Sequence, residues 1–188
     1  METGKKVHKL ERTDTGRKGI YILPNLFTTA SLFSAFYGIV QATNGSYEHS
    51  AIAIVVAAVL DSLDGRVARM TNTVSDFGKE YDSLVDLVAF GLAPALVLYE
   101  WGLKDFGKLG WLTAFIYAAT TALRLARFNT QDTKGNKYFR GLPCPAAAVL
   151  IATALWTAES YSLTGTWAVV TALMAMIMLS VAMVSSFP

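Results

Sequence analysis

The chain has 188 residues, 53% of them hydrophobic and 16% charged, with a net charge of +2 and a mean hydropathy of +0.40. That balance excludes a soluble domain with a polar surface and leaves an integral membrane protein. A single cysteine, Cys144, excludes an intrachain disulfide and a thiolate metal cluster, and His8 and His49 fall too far apart in the chain's topology to share a metal.

The first 18 residues are polar and charged, without the apolar core and small-residue cleavage site of a signal peptide. Residues 1–20 therefore read as a basic cytoplasmic tail and residues 21–188 as one transmembrane domain. Crossing a hydrocarbon core of about 30 Å takes roughly 20 apolar residues. Six such runs are expected, at about 21–43, 49–69, 82–101, 109–128, 143–160 and 165–185, giving an all-α, multi-pass fold. The first opens on PNLFTTASLFSAFYGI, where Pro24 suits a first helical turn and Asn25, Thr28 and Thr29 can hydrogen-bond between helices. The second runs through AIAIVVAAVL into Asp61 and Asp64, and the third leaves Asp82 and Asp86 for LVAFGLAPALVLY. The fourth ends in ALRLARFN, with Arg124, Arg127 and Asn129. The fifth starts in FRGLPCPAAA, where Arg140 precedes Pro143 and Pro145 and Cys144 reads as a small packing residue. The sixth is a generic apolar run.

Orientation follows from the basic residues, because cytoplasmic loops hold the excess of lysine and arginine. The tail, the second connection (Arg66, Arg69, Lys79) and the fourth (Arg124, Arg127, Lys134, Lys137, Arg140) hold fourteen of the sixteen; only Lys104 and Lys108 lie on the other side. Both termini and all four aspartates are thus expected at the cytoplasmic face.

Those aspartates are the chemically informative feature. They form the pattern Asp61-x-x-Asp64-Gly65-x-x-Ala68-Arg69, then eight residues, then Gly78-x-x-x-Asp82-x-x-x-Asp86. On a helix, Asp61 and Asp64 share a face with Gly65 and Ala68, and Asp82 and Asp86 share a face with Gly78. Acids inside membrane segments are costly and mark function by default. Oxygen ligands without histidine or cysteine favour Mg²⁺, Mn²⁺ or Ca²⁺, and a carboxylate-held Mg²⁺ commonly binds substrate phosphates as well. Arg69 offers a bidentate phosphate contact. The small residues either bring helices together or leave room for a flat ligand, and spacing alone does not divide the two.

These eight positions across 26 residues resemble the signature of the CDP-alcohol phosphatidyltransferases, with every fixed residue present. The resemblance implies a six-helix membrane enzyme, a homodimer, in which the hydroxyl of an alcohol displaces CMP from a CDP-linked lipid. It implies Asp61, Asp64, Asp82 and Asp86 as metal-site residues, with Asp86 also the general base, and Asp61, Gly65, Ala68, Arg69 and Gly78 as the nucleotide-binding set. The flanking strings PNLFTTASLFSAFYGI, ALRLARFN and FRGLPCPAAA resemble the membrane-embedded phosphatidylserine synthases, which implies CDP-diacylglycerol as donor and L-serine as acceptor, with phosphatidylserine and CMP as products. Two divalent cations then neutralise the attacked phosphate and the leaving nucleotide. Arg127, Asn129 and Arg140 share the cytoplasmic rim and are candidates for binding the acceptor, although topology alone also puts arginines there. Two other readings remain at this stage: a sister enzyme using glycerol phosphate or inositol phosphate, and a cation transporter with midplane carboxylates.

Overall fold

The computed structural model describes residues 15–71, 75–132, 141–163 and 165–185, and every regular element among them is helical. In chain order these are α1 (Thr15–Thr43), α2 (Tyr47–Thr71), α3 (Asp76–Asp86), a π-helical segment (Leu87–Leu92), α4 (Ala93–Trp101), a 3₁₀ turn (Leu103–Phe106), α5 (Lys108–Asp132), α6 (Cys144–Ser160) and α7 (Thr166–Val184). The first helix begins earlier than the sequence suggested, so residues 15–20 belong to α1 and not to a separate tail. Pro24 accordingly lies inside α1 and not at its start. Pro143 caps α6 and Pro145 sits in its first turn, where a missing N–H leaves no bond unmade.

The α1 and α2 helices lie antiparallel, joined by the tight turn at Asn44–Ser46 with Gly45 at φ 77°. Their register is visible in successive rungs. Ser34 Oγ donates to the Ala53 carbonyl at 2.7 Å, Ser31 Oγ donates to the Ala57 carbonyl at 3.0 Å, and Thr28 reaches Asp64. A Cβ on Gly38 would stand 3.2 Å from the Ser50 carbonyl. Small and hydroxylated residues thus let the two backbones approach, the usual device for helices that cannot use hydrophobic exclusion in lipid. That approach carries Asp61 and Asp64 to one end of the pair.

From α3 to α4 the chain is one continuous helix, Asp76–Trp101, interrupted by the π-helical segment in which Ala93 N–H bonds the Val88 carbonyl. Pro94 follows, buried and without an N–H to give. Its ring would clash with the carbonyl four residues back in a regular helix, and a widened turn relieves that crowding. Gly91 faces α5 here, where an added Cβ would lie 3.2 Å from Thr121 Cβ and Cγ2. The segment begins at the residue after Asp86, so the wide turn rests directly on the acidic cluster.

The interior is built from small residues, among them Ala35, Ala51, Ala57, Ala89, Ala93, Ala147 and Ala152, around Phe90, Ile54 and Tyr117. Large apolar side chains point outward instead: Phe33 is 71% exposed, Leu123 65% and Trp167 84%. That inversion suits a protein whose solvent is lipid tail. Three helices, Asp76–Trp101, Lys108–Thr130 and Thr166–Val184, are long and apolar enough to cross a membrane; Cys144–Ser160 is apolar but shorter. At the end remote from the aspartates, Trp101 Nε1 donates to Glu159 at 2.6 Å and Trp156 Nε1 to Glu48 at 3.2 Å, an arrangement typical of rings at a membrane interface.

Candidate metal centre

Asp61 and Asp64 sit in the last three turns of α2, and Asp82 and Asp86 in the second half of α3. The packing of both α2 and α3 against α1 brings these two stretches together. One oxygen from each of Asp61, Asp64 and Asp82 falls within 4.8 Å of the others. Three of the four carboxylates that the resemblance implies at a metal site thus come together, from two helices. Asp86 lies outside that trio but meets Asp61 side chain to side chain.

Burial and hydrogen bonding differ across the cluster. Asp64 is 5% exposed and its Oδ2 accepts from Thr28 Oγ1 at 2.8 Å; Asp61, Asp82 and Asp86 are half-buried. Oδ1 of Asp82 and Oδ1 of Asp86 are buried without a hydrogen-bond partner. Buried carboxylate oxygens rarely go unsatisfied, and an all-oxygen set gathered this closely matches a hard divalent cation. The residues present fit such an ion.

The flanking positions divide. Arg69 is exposed and folds back so that its Nε donates to the Gly65 carbonyl at 2.8 Å, leaving the rest of the guanidinium beside the site. A Cβ on Gly65 would meet only Arg69 Nη2, at 3.9 Å. Gly78 is more confined, since Ser75 caps α3 by accepting from Gly78 N–H at 3.0 Å and a Cβ there would lie 3.1 Å from Ser75 Oγ and 3.6 Å from Asn25 Oδ1. A side chain at 78 would crowd the Ser75 hydroxyl that makes the cap. The Ala68 side chain and all of Arg140 lie outside the described residues.

Of the acceptor candidates, Asn129 is half-buried and donates through Nδ2 to Ser83 Oγ at 3.0 Å, tying the C-terminal end of α5 to the residue after Asp82. Arg127 is exposed near the end of the same helix. Two further groups join the cluster without any signal in the spacing. Arg124 Nη1 donates to Cys144 Sγ at 3.3 Å, so Cys144 is more than packing, and Asp86 lies within electrostatic reach of the thiol. Tyr81, on α3, shares a hydrogen bond with Thr29 of α1 at 3.0 Å. Periodicity finds partners on one helix; these pairs cross between helices.

An apolar cavity of about 660 Å³ opens between the end of α4, α6 and α7, lined by residues such as Leu98, Ile151, Ala158 and Met178. It includes none of the four aspartates and belongs to the opposite end of the bundle.

A family model described as CDP-alcohol phosphatidyltransferase matches residues 21–185. Among curated proteins, the chain is 44% identical over 133 residues to a CDP-diacylglycerol–serine O-phosphatidyltransferase of Helicobacter pylori, covering 70% of this chain and 56% of that one. It is 41% identical over 142 residues to a protein of the same name from Mycobacterium tuberculosis, covering 71% and 49%. It is 39% identical over 166 residues to an archaetidylserine synthase of Methanothermobacter thermautotrophicus, covering 87% and 67%. The chain thus spans about half the length of the first two relatives.

Proposed function

Because the chain belongs to the CDP-alcohol phosphatidyltransferase family, whose model its residues 21–185 match, we propose that it transfers the phosphatidyl group of CDP-diacylglycerol to L-serine, forming phosphatidylserine and releasing CMP. The observation that carries this reading is the convergence of Asp61, Asp64 and Asp82 within 4.8 Å, beside an arginine and at one end of an apolar bundle. Serine is the part of the relatives' names that recurs between the bacterial and archaeal proteins, while the lipid part differs, and this supports serine as the acceptor.

In this reading Asp61, Asp64 and Asp82 hold Mg²⁺ or Mn²⁺, with Asp86 at the edge of the same site. When bound, two such cations neutralise charge on the pyrophosphate and on departing CMP. The chain's own groups do the rest. Arg69 keeps guanidinium donors beside the site for a phosphate oxygen. Gly65, Ala68 and Gly78 leave the wall of the nucleotide pocket low. Asp86 takes the proton of the serine hydroxyl as it attacks the lipid-bearing phosphorus, a role supported by its buried Oδ1 having no hydrogen-bond partner. Attack breaks the phosphorus–oxygen bond to CMP and forms the serine ester. Asn129, Arg127 and Arg140 are assigned to the acceptor side of the rim.

The same reading includes six spans with both termini and the site at the cytoplasmic side of the cell membrane, and a homodimer. The support is the distribution of lysine and arginine and the outward apolar side chains. Membrane-impermeant labelling of single cysteines at positions 44 and 79, in a Cys144→Ala background, tests the orientation. For the activity, purified full-length protein in detergent receives CDP-diacylglycerol, a divalent cation and one alcohol at a time, scored by CMP release. Serine is expected to give turnover and glycerol phosphate and inositol phosphate none. Equal or faster release with a phosphorylated alcohol would reassign the acceptor.

A further inference from the structure

The helix that contributes no acid to the cluster nevertheless holds it. Thr28 of α1 is 5% exposed and donates its Oγ1 proton to Asp64 Oδ2 at 2.8 Å, across 36 residues of sequence, in the most buried contact of the site. Close to Thr28, α1 also touches α3. Thr29 Oγ1 donates to the Asn25 carbonyl at 2.7 Å and so accepts from Tyr81 OH at 3.0 Å, and a Cβ on Gly78 would lie 3.6 Å from Asn25 Oδ1. So α1 grips both ligand-bearing helices, α2 through Asp64 and α3 one residue before Asp82.

A carboxylate rotates about its χ2 bond unless something fixes its plane. The Thr28 hydroxyl, carried on the backbone of α1, occupies one lone pair of Oδ2. Oδ1 is the oxygen left without that bond. Among Asp61, Asp64 and Asp82, Asp64 is the one with a hydroxyl donor from another helix in the described contacts, whereas Asp82 Oδ1 is unpartnered.

We propose that Thr28 is a positioning residue of the metal centre: its hydrogen bond to Asp64 fixes which carboxylate oxygen faces the cation, and so sets metal affinity. The proposal rests on the metal reading above. Groups that orient a ligand from behind commonly change metal affinity by about 10- to 100-fold when removed.

The test is Mn²⁺ titration of the full-length protein in detergent, followed by electron paramagnetic resonance without any lipid substrate, with thermal unfolding measured in the absence of metal. Thr28→Val keeps the shape and removes the hydroxyl; Thr28→Ala removes the hydroxyl together with the methyl, at less helix cost, and stands in if the valine variant does not fold. Both are expected to weaken Mn²⁺ binding by about 10- to 100-fold, and Thr28→Ser to restore it to near the wild-type value. Loss of metal-free thermal stability with unchanged Mn²⁺ affinity would make the bond a packing contact and overturn the proposal. A wild-type protein that binds no Mn²⁺ would overturn the metal reading and this inference together.

Discussion

Asp86 is the base of the proposed reaction. It follows Asp82 by one turn of α3, faces Asp61, and keeps Oδ1 buried without a partner. Replacement by asparagine preserves its shape and removes its ability to accept a proton. Asp86→Asn is expected to retain CDP-diacylglycerol binding and to lose transfer by about 10² to 10⁴-fold, the usual contribution of a positioned base, as read by CMP release beside a lipid-binding assay. Loss of metal and lipid binding together would make Asp86 chiefly a ligand. The four acids were legible in the sequence because helical spacing puts each pair on one face and apolar runs flank them. Thr28 and Ser83 were not legible as partners of Asp64 and Asn129, because a contact between helices leaves no spacing to read. Gly78 shows a different limit: its N–H is held by Ser75 and a Cβ there would stand 3.1 Å from Ser75 Oγ, a crowding that spacing alone does not reveal.

At the scale of elements, apolar runs located the helices to within a few residues, apart from two starts. Hydropathy begins the third span at residue 82, but the helix starts at Asp76 with Ser75 as its cap. The polar stretch DFGKEYD hides that start, since α3 is amphipathic and presents Phe77 and Leu84 outward. The π-helical segment at Leu87–Leu92 was also invisible, although Pro94 and Gly91 are its physical correlates. Gly91 is where α5 comes nearest to this segment. Gly91→Leu would force side-chain atoms into Thr121, and overpacking of this kind costs about 1–3 kcal/mol. Its thermal unfolding temperature in detergent is expected to fall, with Gly91→Ala intermediate. An unchanged temperature for the leucine variant would show that α5 yields at this contact without cost.

For the whole molecule, the arrangement separates two environments. Small residues fill the interior, large apolar ones face outward, and the acids gather at one end while tryptophans gather at the other. A lipid tail can then stay in the bilayer while a nucleotide and an amino acid reach the acids from water. Composition gave the membrane class and the all-helical fold, since nothing but helices or a closed barrel satisfies the backbone in lipid; it did not reveal that α1 bridges α2 and α3. The central claim is that a divalent cation on Asp61, Asp64 and Asp82 is required for transfer to serine. The most direct measurement is CMP release from CDP-diacylglycerol and serine by the wild-type protein and Asp64→Asn, with EDTA and after adding Mg²⁺ or Mn²⁺. No release is expected in EDTA, with recovery of the wild type on adding the metal and an inactive Asp64→Asn throughout; full turnover in EDTA, or an active Asp64→Asn, would rule out a cation on these aspartates as a requirement for transfer.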